Sequence, residues 1–547
     1  MNRSIHGLLA LVFCIYQSCD ATSSLLSKMS TEEKVGQLLM VHFHGEDVND
    51  DAKVLIHQAH VGGFIYFNWS NGLHNPKQVQ KLSTNLQKQV QKTDNPIPLI
   101  IAVDQEGGVV SRLKKGFTVF PGNGAIAKTG IPGLAYQCAS ATAVELKAVG
   151  VNMTLGPVVD VNVNPYNPVI GVRSFSNHPE KVVTFAREAL RGFQKEQLIS
   201  VLKHFPGHGD VTLDSHVDLP MVDKTIDELK ETELYPFREM CEEADAIMTA
   251  HLLVPALDPF NCATLSKRVT QKILRDEYGF EGVIMSDSLV MKGFLTNCPN
   301  IGEAAIRAFE AGCDMLILGG KQLLIEDGFE LNCEDTLTIY NYLLEAVYEG
   351  RIPEQRLNDS VERILRLKDK YRLIDQVNEE KDLTAHVNTP YHKKIAREVA
   401  YRALRNQEDS TQKPPNFGEI RVAVFAPELI QYDLNLTTLA TIGKETRTMF
   451  FEELNPSLDE ALKANSLIKW ADAFIVCSYN AWKNDQQAQF IQKLTDSKKP
   501  ITVIALRDPQ DSDYVRHTAN FIISTSSPDA YSIQSAVDIL TGVTNVP

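Results

Sequence analysis

Short apolar runs recur along the first three-fifths of the chain, separated by longer stretches in which apolar residues return at helical spacing. The runs are Gln37–Phe43, Gly63–Phe67, Leu99–Asp104, Asn152–Asp160, Leu198–His204, Ala246–His251, Gly282–Asp287 and Met315–Leu318. Val, Ile, Leu, Met and Phe fill them almost continuously, as strands buried on both faces require. Between them Pro179–Glu196 and Ile226–Glu243 read as amphipathic helices. Eight such units over roughly 300 residues predict a (β/α)₈ barrel of the TIM type.

Helical patterning continues through Glu334–Glu349 and Glu354–Lys370 to about residue 405. Residues 25–405 thus form the predicted barrel with trailing helices. Residues 406–419 turn polar, carry Pro414 and Pro415, and read as a linker. Arg421–Phe425, Ala473–Cys477, Ile501–Leu506 and Phe521–Ser524 then predict a smaller α/β sandwich domain over 420–547. Its titratable residues look dispersed, so it is assigned no catalytic part.

Residues 1–21 are set apart from the fold. Arg3 and His6 precede the apolar segment Gly7–Tyr16, and small or polar residues follow, as in a secretory signal peptide. That segment is too short to span a bilayer, and no other is apolar enough. The expectation is an exported protein, periplasmic or secreted, with Cys19 a candidate lipid attachment site. Seven cysteines follow the leader, from Cys138 to Cys477, in no CxxC pair and no framework spacing. Cys313 and Cys477 lie in apolar runs and read as core thiols. Few disulfides in an exported chain suit a bacterial periplasm. Asn152-Met153-Thr154 matches a glycosylation sequon but falls in a predicted buried strand, where a glycan has no room.

The composition, 44% hydrophobic and 22% charged over 547 residues, is that of an ordinary globular protein. A net charge of −15 argues against nucleic acid as a partner. Oligomeric state is left open.

The chemistry concentrates in Lys203-His204-Phe205-Pro206-Gly207-His208-Gly209-Asp210, followed by Asp214-Ser215-His216. Pro206, Gly207 and Gly209 exclude a helix, so these polar groups are expected on a shaped loop after a buried strand. Asp104, Asp160, Lys203, His204, His251 and Asp287 all fall at the C-terminal ends of predicted strands, the face on which barrels build their sites. On residue types alone His204, His208, Asp210, Asp214 and His216 could equally ligate a metal.

Four motifs then occur together: Val103-Asp104-Gln105-Glu106-Gly107-Gly108 with Arg112, Gly171-Val172-Arg173-Ser174-Phe175, the Lys203–His216 stretch, and Met285-Ser286-Asp287-Ser288-Leu289 with Met291. In this order and spacing the chain resembles glycoside hydrolase family 3, and within it the β-N-acetylglucosaminidase (NagZ-type) branch. The resemblance covers roughly residues 25–400. It implies a retaining exo-β-N-acetylglucosaminidase acting on a small carbohydrate or muropeptide, with no cofactor and no metal. It assigns Asp287 as the nucleophile and His216 with Asp214 as an acid/base dyad. It makes Asp104 an acceptor from sugar hydroxyls, and Arg112, Arg173, Lys203 and His204 donors to the sugar. His208 and Asp210 are read as shaping the loop. The chain departs from the family at Val109, where arginine is common, and at Ser288, where a second acid often stands. The alternatives carried from this reading are a glycoside phosphorylase, a β-glucosidase of the wider family, and a non-catalytic carbohydrate-binding protein.

Overall fold

The computed structural model describes residues 22–214, 219–291, 294, 298–322, 329–374, 381–405, 415–431, 433–434, 439 and 442–542. The expected leader, most of the expected linker and His216 lie outside these residues. No helix among the described residues is long and apolar enough to cross a membrane.

All eight apolar runs become parallel strands. They are β1 Leu39–Val41, β2 Gly63–Tyr66, β3 Ile100–Val103, β6 Met153–Thr154, β7 Ile199–Phe205, β8 Ala246–Thr249, β9 Val283–Met285 and β10 Leu316–Ile317. They pair in the order β10-β1-β2-β3-β6-β7-β8-β9. The ring closes through a parallel bridge between Met285 and Met315, with the Ser286 N–H donating to the Met315 carbonyl at 2.9 Å. Every residue of β7 is buried, as an apolar strand between the barrel interior and an outer helix layer must be.

Lys203 and His204 lie within β7, near the C-terminal strand end expected for them. The breakers act only after Phe205. Gly207, at φ 131°, sits where a Cβ would come within 2.6 Å of the Glu233 Cβ. Glu233 explains a second difference. The single helix expected over Ile226–Glu243 is two, Ile226–Glu231 and Tyr235–Met240. Pro236 suits only the first turn of the second helix, and the break turns the buried Glu233 inward to Lys224.

Between β3 and β6 runs a two-stranded hairpin absent from the sequence reading, β4 Gln105–Gly107 and β5 Val110–Ser111. Gly107 and Gly108 have φ of 89° and 54°, a turn that side chains disfavour. Asn152 lies beside β6. Its side chain accepts from Ile101 N and donates to Leu99 O, so the sequon is built into the barrel sheet.

The second domain is a five-stranded parallel sheet, with β11 Arg421–Pro427, β12 Glu445–Phe451, β13 Ala473–Ser478, β14 Ile501–Ala505 and β15 Phe521–Ser524. The order is β12-β11-β13-β14-β15. Alternate residues feed two cores, Val422 and Val424 into one and Ala423 and Phe425 into the other. β12 is the strand missing from the sequence reading. The cysteines from Cys138 to Cys477 are free thiols, with Cys313 and Cys477 buried.

Candidate active site

At the C-terminal end of the barrel, four elements bring charged side chains into one network. Asp104 follows β3, Glu106 is on the hairpin, Arg173 lies in the short turn Gly171–Arg173, and Lys203 is in β7. The Lys203 ammonium meets Asp104 Oδ1 at 2.9 Å and Glu106 Oε1 at 2.6 Å. Arg173 grips Glu106 with two bonds, Nε to Oε2 at 2.9 Å and Nη2 to Oε1 at 2.8 Å. Arg112 stands 3.7 Å from Asp104 and lies over the Phe67 ring.

Electrostatics keep this network charged. Burial would raise the Glu106 carboxyl, but Arg173 and Lys203 outweigh it and hold Glu106 well below the usual carboxylate range. Burial would likewise lower Lys203, and Asp104 with Glu106 pushes it up instead. Two of the three Lys203 N–H bonds are engaged, which leaves one for a ligand hydroxyl.

Asp160, left without a role by the sequence, organises the next layer. It is fully buried, accepts from the backbone N–H of His204 at 3.1 Å and of His208 at 2.7 Å, and meets His204 Nδ1 at 2.7 Å. Burial opposes its charge, and His204 beside it brings its pKa below the ordinary value. Facing an ionised acceptor, His204 carries its proton on Nδ1. In the neutral ring Nε2 is then an acceptor, 3.4 Å from Arg173 Nη2. Arg173 Nη1 donates to the Val169 carbonyl at 3.3 Å, so these contacts engage four of its five N–H donors. Arg173 contacts both Glu106 and His204.

Asp287 follows β9 on the same face. Its backbone N–H donates to Thr249 O at 3.2 Å, and its Oδ1 accepts from Ser288 N at 2.7 Å. Ser288, one of the two departures, donates to the Gly319 carbonyl at 2.7 Å and ties β9 to the end of β10. Buried His251 donates from Nε2 to the Ser288 carbonyl at 2.9 Å and stacks on Phe294. It therefore supports the backbone beside Asp287. His208 is buried, and burial brings its imidazole down to about 4, so it is neutral at pH 7. Asp210 pairs with Lys224 at 2.8 Å. Asp214 is partly buried at the edge of the described loop. The structure thus unites Asp104, Arg112, Arg173, Lys203 and His204 directly and puts Asp287 at the same barrel end.

Residues 30–367 match the profile described as Glycosyl hydrolase family 3 N terminal domain. The chain belongs to glycosyl hydrolase family 3. A relative from Pseudoalteromonas piscicida named Beta-hexosaminidase A is 30% identical over 506 residues, covering 86% of this chain and 82% of that protein. A Beta-hexosaminidase from Pseudomonas aeruginosa is 36% identical over 281 residues, 51% of this chain and 80% of the relative. Among solved structures, a family 3 beta-N-acetylglucosaminidase from Paenibacillus sp. str. FPU-7 superposes with a TM-score of 0.85 at 34% identity, covering 95% of this chain and 98% of its own. As a family 3 chain the protein is a glycoside hydrolase, and both of its domains are shared with that structure.

The second domain is not remote from this family 3 site, contrary to the expectation of a domain without a titratable cluster. Asp508, Asp511 and Asp529 are buried at the C-terminal ends of its strands, and burial raises all three carboxyls. Asp508 accepts from Trp482 Nε1, and Trp482 packs edge-on against Tyr166 of the barrel at 5.3 Å. A Cβ on Gly171 would lie 3.0 Å from Asp508 Oδ1. Ser527 Oγ accepts from Gly122 N at 3.0 Å, and a Cβ on Gly108 would stand 3.0 Å from that oxygen. The domain thus abuts both the Glu106 hairpin and the turn that carries Arg173. Glu106, Asp160 and these contacts were not identified as functional from sequence. Only the position of Glu106 within a quoted motif pointed to it.

Proposed function

We propose that the protein is a retaining exo-β-N-acetylglucosaminidase that releases non-reducing terminal N-acetylglucosamine. The observation that carries this reading is the Lys203–Asp104–Glu106–Arg173 network at the barrel end that also bears Asp287. It offers a fixed carboxylate and an ammonium with a donor to spare, a combination that reads sugar hydroxyls. The names of the two relatives and of the Paenibacillus neighbour support an N-acetylhexosaminide as the substrate.

In this mechanism a carboxylate oxygen of Asp287 attacks the anomeric carbon. The bond to the leaving oxygen breaks as His216, oriented by Asp214, gives that oxygen its proton. The neutral imidazole then takes a proton from water, whose oxygen displaces Asp287 and restores the β configuration. Lys203 and Asp104 hold the ring hydroxyls while Arg112 lies at the rim. Peptidoglycan fragments are the natural substrates in this reading, reached by export on the leader at residues 1–21.

The test is turnover of an aryl β-N-acetylglucosaminide beside the aryl β-glucoside, with and without phosphate. Release of β-N-acetylglucosamine, seen first by NMR and independent of phosphate, is expected. N-acetylglucosamine 1-phosphate as the main product would replace hydrolysis with phosphorolysis. Binding without turnover would leave a carbohydrate-binding protein.

A further inference from the structure

A second group of coordinating side chains stands at the same barrel end, outside the network above. His42 and His44 follow β1, and Glu330 follows β10. His44 Nε2 lies 3.0 Å from Glu330 Oε1, and His42 Nε2 lies 3.9 Å from Glu330 Oε2. One ligand atom from each of the three falls within 4.8 Å of the others.

His42 makes this more than a surface ion pair. It is 4% exposed, and its Nε2 has no hydrogen-bond partner among the described residues. Glu330 Oε2 is also buried without a partner there. A buried nitrogen and a buried carboxylate oxygen, each lacking a partner and close together, are a costly arrangement in a protein interior. A cation between them satisfies both.

We propose that His42, His44 and Glu330 bind one divalent cation of the zinc class. Two imidazoles and a carboxylate suit zinc, cobalt or nickel better than magnesium or calcium, which take oxygen ligands. Bonds of about 2.0–2.2 Å put tetrahedral ligand atoms about 3.3–3.5 Å apart. The carboxylate presents one oxygen to each imidazole, Oε1 to His44 at 3.0 Å and Oε2 to His42 at 3.9 Å. Drawing three ligand atoms that lie within 4.8 Å of one another to that spacing calls for a rotation of the Glu330 carboxylate and a shift of His44, whose side chain is 53% exposed.

The backbone carrying both histidines is already held. Asn71 Nδ2 donates to the carbonyls of Phe43 and Gly45, and Asn49 Nδ2 donates to that of His44. Glu330 is paired to Lys321 across an antiparallel bridge. The cation would therefore tie the end of β1 to the segment after β10. Three protein donors leave a fourth position for water.

The test uses the full chain without a polyhistidine tag, stripped with EDTA and titrated with cobalt(II) chloride and separately with magnesium chloride. About one equivalent of cobalt is expected, with visible ligand-field bands that zinc(II) chloride abolishes and no thiolate charge-transfer band. The Trp69 ring lies 5.1 Å from His42 and 5.5 Å from His44, so cobalt should quench its fluorescence. Trp69→Phe should remove that quench and keep the stoichiometry. His44→Ala and Glu330→Gln alter partly exposed side chains, and each should lose the cobalt bands while keeping the parent melting temperature. The proposal fails if cobalt binds no better than magnesium, or if it binds equally well in both variants.

Discussion

Replacing Glu106 by glutamine keeps the shape of the hairpin side chain and removes one charge from the middle of the network. The Glu106 side chain is 2% exposed, and its oxygens lie 2.6 Å from Lys203 and 2.8 Å from Arg173. At an effective dielectric of about 20 each contact is worth about 6 kcal/mol of Coulomb energy before desolvation. Desolvation offsets most of that, and breaking a buried pair by removing one partner costs about 3–5 kcal/mol. The Glu106→Gln protein should therefore melt lower at pH 7 by about 5 °C or more. The pH dependence makes the test specific. Glu106 is held below its unfolded value, so its contribution is complete above an unfolded pKa of about 4.3 and is lost as pH falls toward the folded value. The glutamine variant has no such proton to gain. Scanning calorimetry should show a gap between the two proteins that is level from pH 7 to 5. Below about pH 4.3 it should narrow, by up to about 1.4 kcal/mol per pH unit. No gap at pH 7, or one unchanged down to pH 3, would refute the argument that Glu106 is an ionised, paired carboxylate.

Asp287→Ala should reduce kcat on an aryl β-N-acetylglucosaminide by roughly 10⁴-fold with an unchanged melting temperature, and turnover near the parent level would remove Asp287 as nucleophile. Asp160→Asn loses the ionised acceptor of three hydrogen bonds and should cost about 3–5 kcal/mol in stability, read by denaturation at pH 7. His208 is neutral in the fold with its pKa brought down to about 4, while the unfolded ring takes a proton from about pH 6.5 downward. Stability should thus fall between pH 6.5 and 4 by up to about 3 kcal/mol from this residue, and His208→Asn should flatten that part of the profile. Gly108→Ala would put a Cβ 2.9 Å from Gly122 backbone atoms and 3.0 Å from Ser527 Oγ at a φ of 54°, so both melting temperature and kcat/KM should drop; parent values for both would show that the hairpin has room to give.

The barrel was legible because its eight strands lie in apolar-rich runs, as burial on both faces requires, with β7 interrupted only by Ser200, Lys203 and His204. β12 was missed for the opposite reason. Glu445, Thr446, Arg447 and Thr448 are polar residues on an edge strand with little burial. The β4–β5 hairpin has no apolar run at all, and two glycines with positive φ make it. Asp104, Arg112, Arg173, Lys203 and His204 were found through their motifs, but their division of labour was not. Arg173 was expected to donate to the sugar, and its paired bonds to Glu106, 67 positions earlier in the chain, left no sign in the sequence. Sequence separation likewise hid the contact of Asp160 with His204, 44 positions away. Arg507, Asp508 and Asp511 stand together in the sequence, yet such groupings are common on exposed loops. Only the docked domain shows that these carboxyls are buried.

The hairpin that carries Glu106 is shared property. One side holds Lys203 and Arg173, and the other meets Ser527 of the second domain through Gly108 and Gly122. A sugar that shifts the hairpin on binding must change the strength of domain docking, and docking must change sugar affinity by the same factor. The second domain is then a thermodynamic partner of the ligand, and severing it would be felt first as a change in affinity.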